Sequence, residues 1–242
     1  MRIYKTAPSG VFTNIPVQKD PQFMYIMDDP EKEYIHKPIT DIIPITVCVN
    51  YDDFLELSLK TNRRIFDKYI VITSPEDEKT QRVCEKYDVD CRIYQDFYKN
   101  AKFNKSGAIH WVQKDIHEKY PDKWVLILDS DIVLSPGFAG WFSFQTLNKY
   151  ALYGIYRKNF ETPGSYNKNS GYIIKEPICI GYFQLYYDKT KFYPEFSESA
   201  SMCDIFFRNL FKTKTYLTRG KYVSHLGFTF TNHGGRVSAR WE

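Results

Sequence analysis

Three short apolar runs rich in β-branched residues, with a fourth strand-length segment among them, most constrain what this chain can fold into. IPITVCV (43–49), YIVIT (69–73) and WVLIL (124–128) are each the length of a buried strand, and DCRIY (90–94) is the length of a strand. Between them lie segments with helical spacing. DDFLELSLKTNRRIF follows the first run, with Asp52 or Asp53 expected as its N-cap. After the second run, Ser74-Pro75-Glu76-Asp77 reads as N-cap, proline at the first helical position and acidic capping partner. From Asn104 to Tyr120, Ala108, Ile109, Val112 and Ile116 recur on one face. Strands alternating with helices at this spacing predict an α/β fold with a mostly parallel, Rossmann-like sheet flanked by helices. Such sheets bind ligands beyond the carboxyl ends of their strands.

Either side of that stretch the pattern loosens. Residues 1–40 carry five prolines and a DDPEKE cluster without periodicity, and predict an irregular N-terminal extension. Residues 41–242 then form one domain. In its second half, ALYGIYR, PICIGYFQLYY and KYVSHLGF read as strands and MCDIFFRNLF as a short helix. This predicts a nucleotide-binding half (about 43–135) followed by a mixed acceptor half (136–242). With 33 basic against 29 acidic residues interspersed, the net charge of +4 does not favour nucleic acid as a partner. No apolar run approaches the ~18–20 residues of a membrane span. Neither a signal peptide nor a lipidation box is read at the ends, and five cysteines without a CxxC pair predict reduced thiols and a cytoplasmic setting. Cys48, Cys84 and Cys179 fall within apolar patterns and are expected in the core, and Trp111 and Trp124 are expected to be packing residues.

The segment that carries chemistry is WVLILDSDIVL. Its apolar strand delivers Asp129 and Asp131 to the carboxyl end. Residues two apart in extended chain point the same way, so both carboxylates can face one site. Paired hard oxygens suit Mn²⁺ or Mg²⁺, ions that complete their shells with water and substrate phosphates. The competing structural reading makes one aspartate a turn cap and the other a solvated charge.

Together with FNKSGAIHWV and the opening ITVCVNYDDFLELSL, this segment resembles the GT-A fold of nucleotide-sugar glycosyltransferases, closest to small single-domain viral and bacterial members. The resemblance is good over about 43–135 and follows only in outline beyond. It implies a metal-dependent transfer of a sugar from a nucleoside-diphosphate donor, UDP by default, to a hydroxyl of a glycan or glycoprotein. Asp131 is then the metal ligand, and Asp129 binds the ribose or the metal. Asn50, Tyr51 and Ser74 line the nucleoside pocket, and Asn104 and Lys105 lie near nucleotide or phosphate. His225 matches a further metal ligand of some members. Asp204 stands where inverting members keep their general base, with Cys203 in place of a frequent second acid; Glu195 and Glu198 are fallback bases. Its structural alternative is helix capping.

Three further readings stay open. Tyr182 and Gln184 in GYFQLYY either face an acceptor sugar or belong to an aromatic core strand. Arg236, beyond a glycine-rich stretch, either closes on phosphates as part of a C-terminal lid or sits in a basic tail. Two rival functions also fit parts of the pattern: a haloacid-dehalogenase-type phosphatase, through DSDIV, and a non-catalytic carbohydrate-binding protein of the same fold. Asp-X-Asp on the fourth strand rather than the first speaks against the phosphatase.

Overall fold

Alternate residues of the central strands face opposite ways, and both ways are buried. In the computed structural model, Ile42 of β3 (Ile42–Val47), Val71 of β4 (Ile70–Thr73) and Leu126 and Leu128 of β6 (Trp124–Leu128) enter one core. Ile43, Ile45, Ile70, Ile72, Val125 and Ile127 enter a second core on the other face of the same sheet. A strand buried on both faces needs apolar residues at every position, which is why these runs do not alternate with polar ones. Each fully buried Ile, Leu or Phe contributes about 1.5–3 kcal/mol.

The structure describes residues 5–6, 12–13, 39–174, 179–217, 222–227, 236 and 239–241. The chain divides into two compact units, Met1–Ile35 and His36–Glu242. In the first, β1 (Lys5–Thr6) and β2 (Phe12–Thr13) pair antiparallel. Of the rest of the expected N-terminal extension only Ile39 and Thr40 are described, and Ile39 bridges Phe66 in parallel.

In the second unit, α1 (Asp52–Ile65) and α2 (Glu78–Lys86) cover one face of the sheet, through Leu55, Leu59, Val83 and Cys84. The opposite face is covered by α3 (Lys105–Lys119), through Ile109, Val112 and Ile116, and by α6 (Ala200–Asn209), through Cys203 and Phe207. The sheet has seven strands in the order β12-β8-β11-β6-β3-β4-β5. Its members are β3, β4, β5 (Asp90–Ile93), β6, β8 (Ala151–Gly154), β11 (Phe183–Tyr186) and β12 (Thr213–Tyr216). All pairs are parallel except the two made by β11. A second sheet has the order β10-β9-β13-β7. It consists of β7 (Ile132–Val133), β9 (Tyr156–Phe160), β10 (Tyr172–Ile174) and β13 (Tyr222–Leu226). The short helices α4 (Phe138–Phe142) and α5 (Pro163–Asn167) lie in the connections. The expected α/β architecture, with a mixed second half, is the one observed.

Several local expectations are corrected. Helix α1 opens after Tyr51, so Asp52 and Asp53 lie inside its first turn, where the helix dipole favours anions. The cap of α2 is Asp77, which accepts from the Thr80 N–H at 3.2 Å, and not Ser74. The Ser-Pro pair forms the turn before it. ALYGIYR is not one strand. It divides between β8 and β9, which belong to different sheets. Cys48, Cys84 and Cys179 are core residues as expected, and Trp111, 44% exposed, packs its ring against Tyr94. Among the described residues no helix is long and apolar enough to cross a membrane.

Candidate functional site

Strand β6 ends at Leu128, and the next three residues, Asp129-Ser130-Asp131, turn the chain from the large sheet into the small one. Backbone contacts hold this turn. The Asp129 N–H donates to the Tyr182 carbonyl at 3.2 Å, and the Leu226 N–H donates to the Asp131 carbonyl at 2.9 Å. Asn62, buried on α1, pins the next residues from the other side. Its Nδ2 donates to the Ile132 carbonyl at 2.7 Å, and its Oδ1 accepts from the Leu134 N–H at 2.9 Å. The turn that carries both aspartates is therefore held from β13, from α1 and from the Tyr182 segment.

Lys105 opens α3, where Asn104 is the cap. The Lys105 ammonium donates to Asp129 Oδ1 at 2.8 Å and lies 3.6 Å from Asp204 Oδ1. Burial alone would lower the lysine's pKa, but the two carboxylates outweigh it and raise it. Asp204 is the fifth residue of α6, not its cap, so the capping alternative does not hold. Its Oδ1 lies 2.8 Å from the Tyr193 hydroxyl, and burial raises its pKa against the opposing pull of Lys105. Gly181 makes room for it: a Cβ there would fall 1.9 Å from Asp204 Oδ2. Glu195 points elsewhere, pairing with His110 and Lys114, and the Glu198 carbonyl accepts from the Lys102 N–H.

Asp131 meets His225 across β7 and β13, with His225 Nε2 3.5 Å from Asp131 Oδ2. Burial, then the charge of Asp129, raises the pKa of Asp131. Burial, then the charge of Arg157, lowers that of His225 to about 3, so the imidazole is neutral and competent as a ligand. Asp131 Oδ1, His225 Nδ1 and both polar atoms of the Asn159 amide are buried and have no hydrogen-bond partner among the described residues. Asn159 is the register partner of His225 in the parallel β9–β13 pair, so the two share a face. Arg157, two residues earlier on β9, reaches that cluster electrostatically and stacks 4.7 Å over the Tyr182 ring. Sequence reasoning passed over Arg157, Asn159, Tyr193 and Gly181. For Arg157 and Asn159 the only local signal was a strand rich in polar residues, YRKNF; Tyr193 and Gly181 lie in other segments.

A cleft of about 340 Å³ opens at the carboxyl ends of β3, β4 and β5. Asn50, Ser74, Asp77, Gln95, Phe97 and Tyr98 are among the residues that line it. Asn50 stands at φ 62°, a left-handed conformation that asparagine tolerates, and its N–H donates to Asp77 Oδ2 at 2.7 Å. Tyr51 turns towards the C-terminal segment instead. Arg236 stacks 4.6 Å over its ring, donates to the Asn50 carbonyl and makes two hydrogen bonds to Asp53, at 2.6 and 2.7 Å. Arg240 pairs likewise with Asp52, and the Trp241 ring meets Phe54 edge-on. The remaining residues of the expected lid, including Asn232, Gly234 and Gly235, lie outside the described residues.

Three of the expected residues have their side chains engaged in structure. The Asn104 Oδ1 accepts from the Gly107 and Ser197 N–H groups. Gln184 is fully buried, and its Nε2 donates to the Cys179 and Asp204 carbonyls. The Tyr182 hydroxyl donates to the Ile155 carbonyl.

The donor set of Asp129, Asp131 and His225 is hard oxygen plus imidazole, which fits Mn²⁺ or Mg²⁺, and Asp131 Oδ1 and His225 Nδ1 have no hydrogen-bond partner among the described residues. Among the described residues no three acidic, histidine or cysteine side chains converge closely enough to hold a metal by themselves. Any such ion would need further ligands from water or a bound phosphate.

No family profile matches the chain, and no curated protein does. Solved structures do. One is 4-diphosphocytidyl-2C-methyl-D-erythritol synthase from Anaerococcus prevotii, 16% identical over 76% of this chain and 90% of that one, with a TM-score of 0.43. A cytidylyltransferase from Leptospira borgpetersenii is 11% identical over 84% and 82%, at 0.42. Glucosyl-3-phosphoglycerate synthase from Mycobacterium tuberculosis, in complex with Mn²⁺, UDP and glucosyl-3-phosphoglycerate, is 15% identical over 53% of this chain, at 0.35. The matched part is about half (47%) of that synthase's chain.

Proposed function

We propose that the chain is a nucleotide-dependent glycosyltransferase that moves a sugar from a nucleoside-diphosphate donor, by default UDP-linked, to an acceptor hydroxyl on a glycan or glycoprotein. The observation that carries this reading is the juxtaposition at one sheet edge. Asp129 and Asp131 leave β6 on the same carboxyl edge at which a nucleoside-sized cleft opens over the neighbouring β3 and β4.

In this reading Asn50 and Ser74 hold the nucleoside, with Gln95 and Tyr98 added from the cleft lining. Asp129, Asp131 and His225, together with water or a bound phosphate, would hold a divalent cation, and the ion would neutralise charge on the leaving diphosphate. Lys105, freed from Asp129 as phosphate arrives, supplies a second positive charge at the N-terminus of α3. Asp204 takes the proton of the acceptor hydroxyl; its side chain is 16% exposed, enough to meet a substrate. Residues 41–242 act together as the catalytic unit, and Arg236, anchored beside Asn50 and Tyr51, borders the nucleoside end.

Calorimetry with UDP, GDP and TDP, with and without Mn²⁺, tests the donor half of this reading. Metal-dependent binding of one nucleoside diphosphate is the expected result. The absence of binding for all three would reject it.

A further inference from the structure

The hydrogen bonds around Tyr193 cannot all be made with one hydroxyl proton. Tyr193 is 1% exposed, and its oxygen lies within hydrogen-bond distance of two acceptors, Gln184 Oε1 and, at 2.8 Å, Asp204 Oδ1. The orientation of the Gln184 amide is not free. Its Nε2 donates to two carbonyls, those of Cys179 at 2.8 Å and Asp204 at 3.1 Å, so Oε1 must face the tyrosine. Reversing the amide would set an oxygen against both carbonyls. A tyrosine hydroxyl has one proton to give. If it goes to Gln184, an ionised Asp204 Oδ1 would sit against the tyrosine oxygen with no proton between them. If it goes to Asp204, the same conflict arises at Gln184.

We infer that Asp204 carries a proton on Oδ1 in the ligand-free protein and donates it to the Tyr193 oxygen, whose own proton goes to Gln184. One proton then lies in each contact, and every oxygen in the row is satisfied. Gln184 and Tyr193 are positioning residues that select the neutral form of the carboxyl.

The other groups facing Asp204 are compatible with this state. Lys105, 3.6 Å away, has a closer partner in Asp129 at 2.8 Å and so keeps a carboxylate without Asp204. Cys203, whose thiol burial pushes up, stays neutral, and its Sγ lies 3.8 Å from Oδ1. Gly181 packs against Oδ2 without a side chain. The inference deepens the proposed function. If Asp204 is the base of a transfer, it must first release this proton, and turnover acquires an acid limb set by a carboxyl that titrates above the ordinary aspartate value of about 3.9.

The test needs no substrate. The side-chain carboxyl of Asp204 is followed by carbon NMR in the ligand-free protein as the pH is changed, with the resonance identified by its loss in Asp204→Asn. The expected result is a protonated signal that persists well above pH ~4, where ordinary aspartates have ionised. Tyr193→Phe should move its midpoint down, because the neutral form loses its acceptor. An upward move would mean that the tyrosine donates to an ionised carboxylate, and would overturn the inference. Thermal melts give a second arm. Asn in place of a protonated Asp donates the same hydrogen bond to Tyr193, so Asp204→Asn should melt with the parent protein. A large loss would show that Lys105 had depended on an Asp204 charge, and would also overturn it. Neither readout depends on nucleotide binding, so failure here is separable from failure of the proposed function.

Discussion

Lys105 Nζ and Asp129 Oδ1 lie 2.8 Å apart, joining the first residue of one helix to the first residue past the central strand. The lysine side chain is 11% exposed and the aspartate 33%. The pair is thus a charge contact at the mouth of the site, with its cation buried more deeply than its anion. Lys105→Met would leave Asp129 without its cation. Removing one partner of a buried pair costs about 3–5 kcal/mol, and less here because Asp129 retains access to water. Urea denaturation should register a loss at or below the lower end of that range, and UDP affinity should fall with it.

Asp131→Asn should separate stability from binding. Its carboxyl is held above the usual range by burial and by Asp129, so the neutral amide removes a buried charge that the fold does not need. Thermal stability of the ligand-free protein should stay level or rise. Mn²⁺-dependent UDP binding, measured by calorimetry, should be lost.

Gly181→Ala would set a methyl group 1.9 Å from Asp204 Oδ2 and 2.3 Å from its Cγ. Something must move, and the carboxyl is the part against which the methyl would fall. Turnover should drop far more than donor affinity does, since the cleft over β3 and β4 is built from other residues. Equal losses in both would place Gly181 in donor binding.

Asp53 accepts two hydrogen bonds from Arg236 and one from the Trp241 N–H at 2.8 Å. Burial pushes its carboxyl up, but these bonds prevail and hold it below the usual range. That contribution is present above the ordinary aspartate pKa and disappears as pH falls through the lowered one. Asp53→Ala should cost about 3 kcal/mol and speed amide exchange at Trp241, measured by hydrogen–deuterium exchange.

His117 supplies a pH dependence remote from the site. Its Nδ1 faces the Lys189 carbonyl at 3.0 Å, its Nε2 faces the Tyr186 hydroxyl at 3.2 Å, and burial lowers its pKa to about 4. The unfolded chain therefore binds a proton that the folded one refuses. No penalty exists above about pH 6.5; it grows as pH falls and levels off below about 4, with a slope of at most about 1.4 kcal/mol per pH unit. Thermal melts across that window should be steeper for the parent protein than for His117→Gln.

Much of the large sheet was legible because its information is local. An apolar run such as WVLIL declares a doubly buried strand within five residues, and Asp129 and Asp131 follow directly from where it stops. Cap positions were less legible, since Ser74 and Asp77 are both good caps. Asp77 takes the role by bonding Thr80 within its own helix and the Asn50 N–H of another loop. Asp204 read as a helix start for the same reason, because a sequence window does not reveal that α6 begins four residues earlier.

By itself the sequence determined the α/β alternation, the strands of the parallel half and the delivery of two carboxylates to a strand end, because periodicity and chain continuity act over a few residues. Only the tertiary structure decided what surrounds those carboxylates. The register of β9 against β13 sets Asn159 beside His225, and the reversed strand β11 carries Gln184 back against β6, with Tyr182 just before it against Asp129. The chain between β11 and α6 brings Tyr193 to Asp204. Tyr193 and Asp204 are 11 residues apart, Tyr182 and Asp129 are 53, and Asn159 and His225 are 66. Proximity across such separations is set by sheet register and helix packing, which no local pattern encodes.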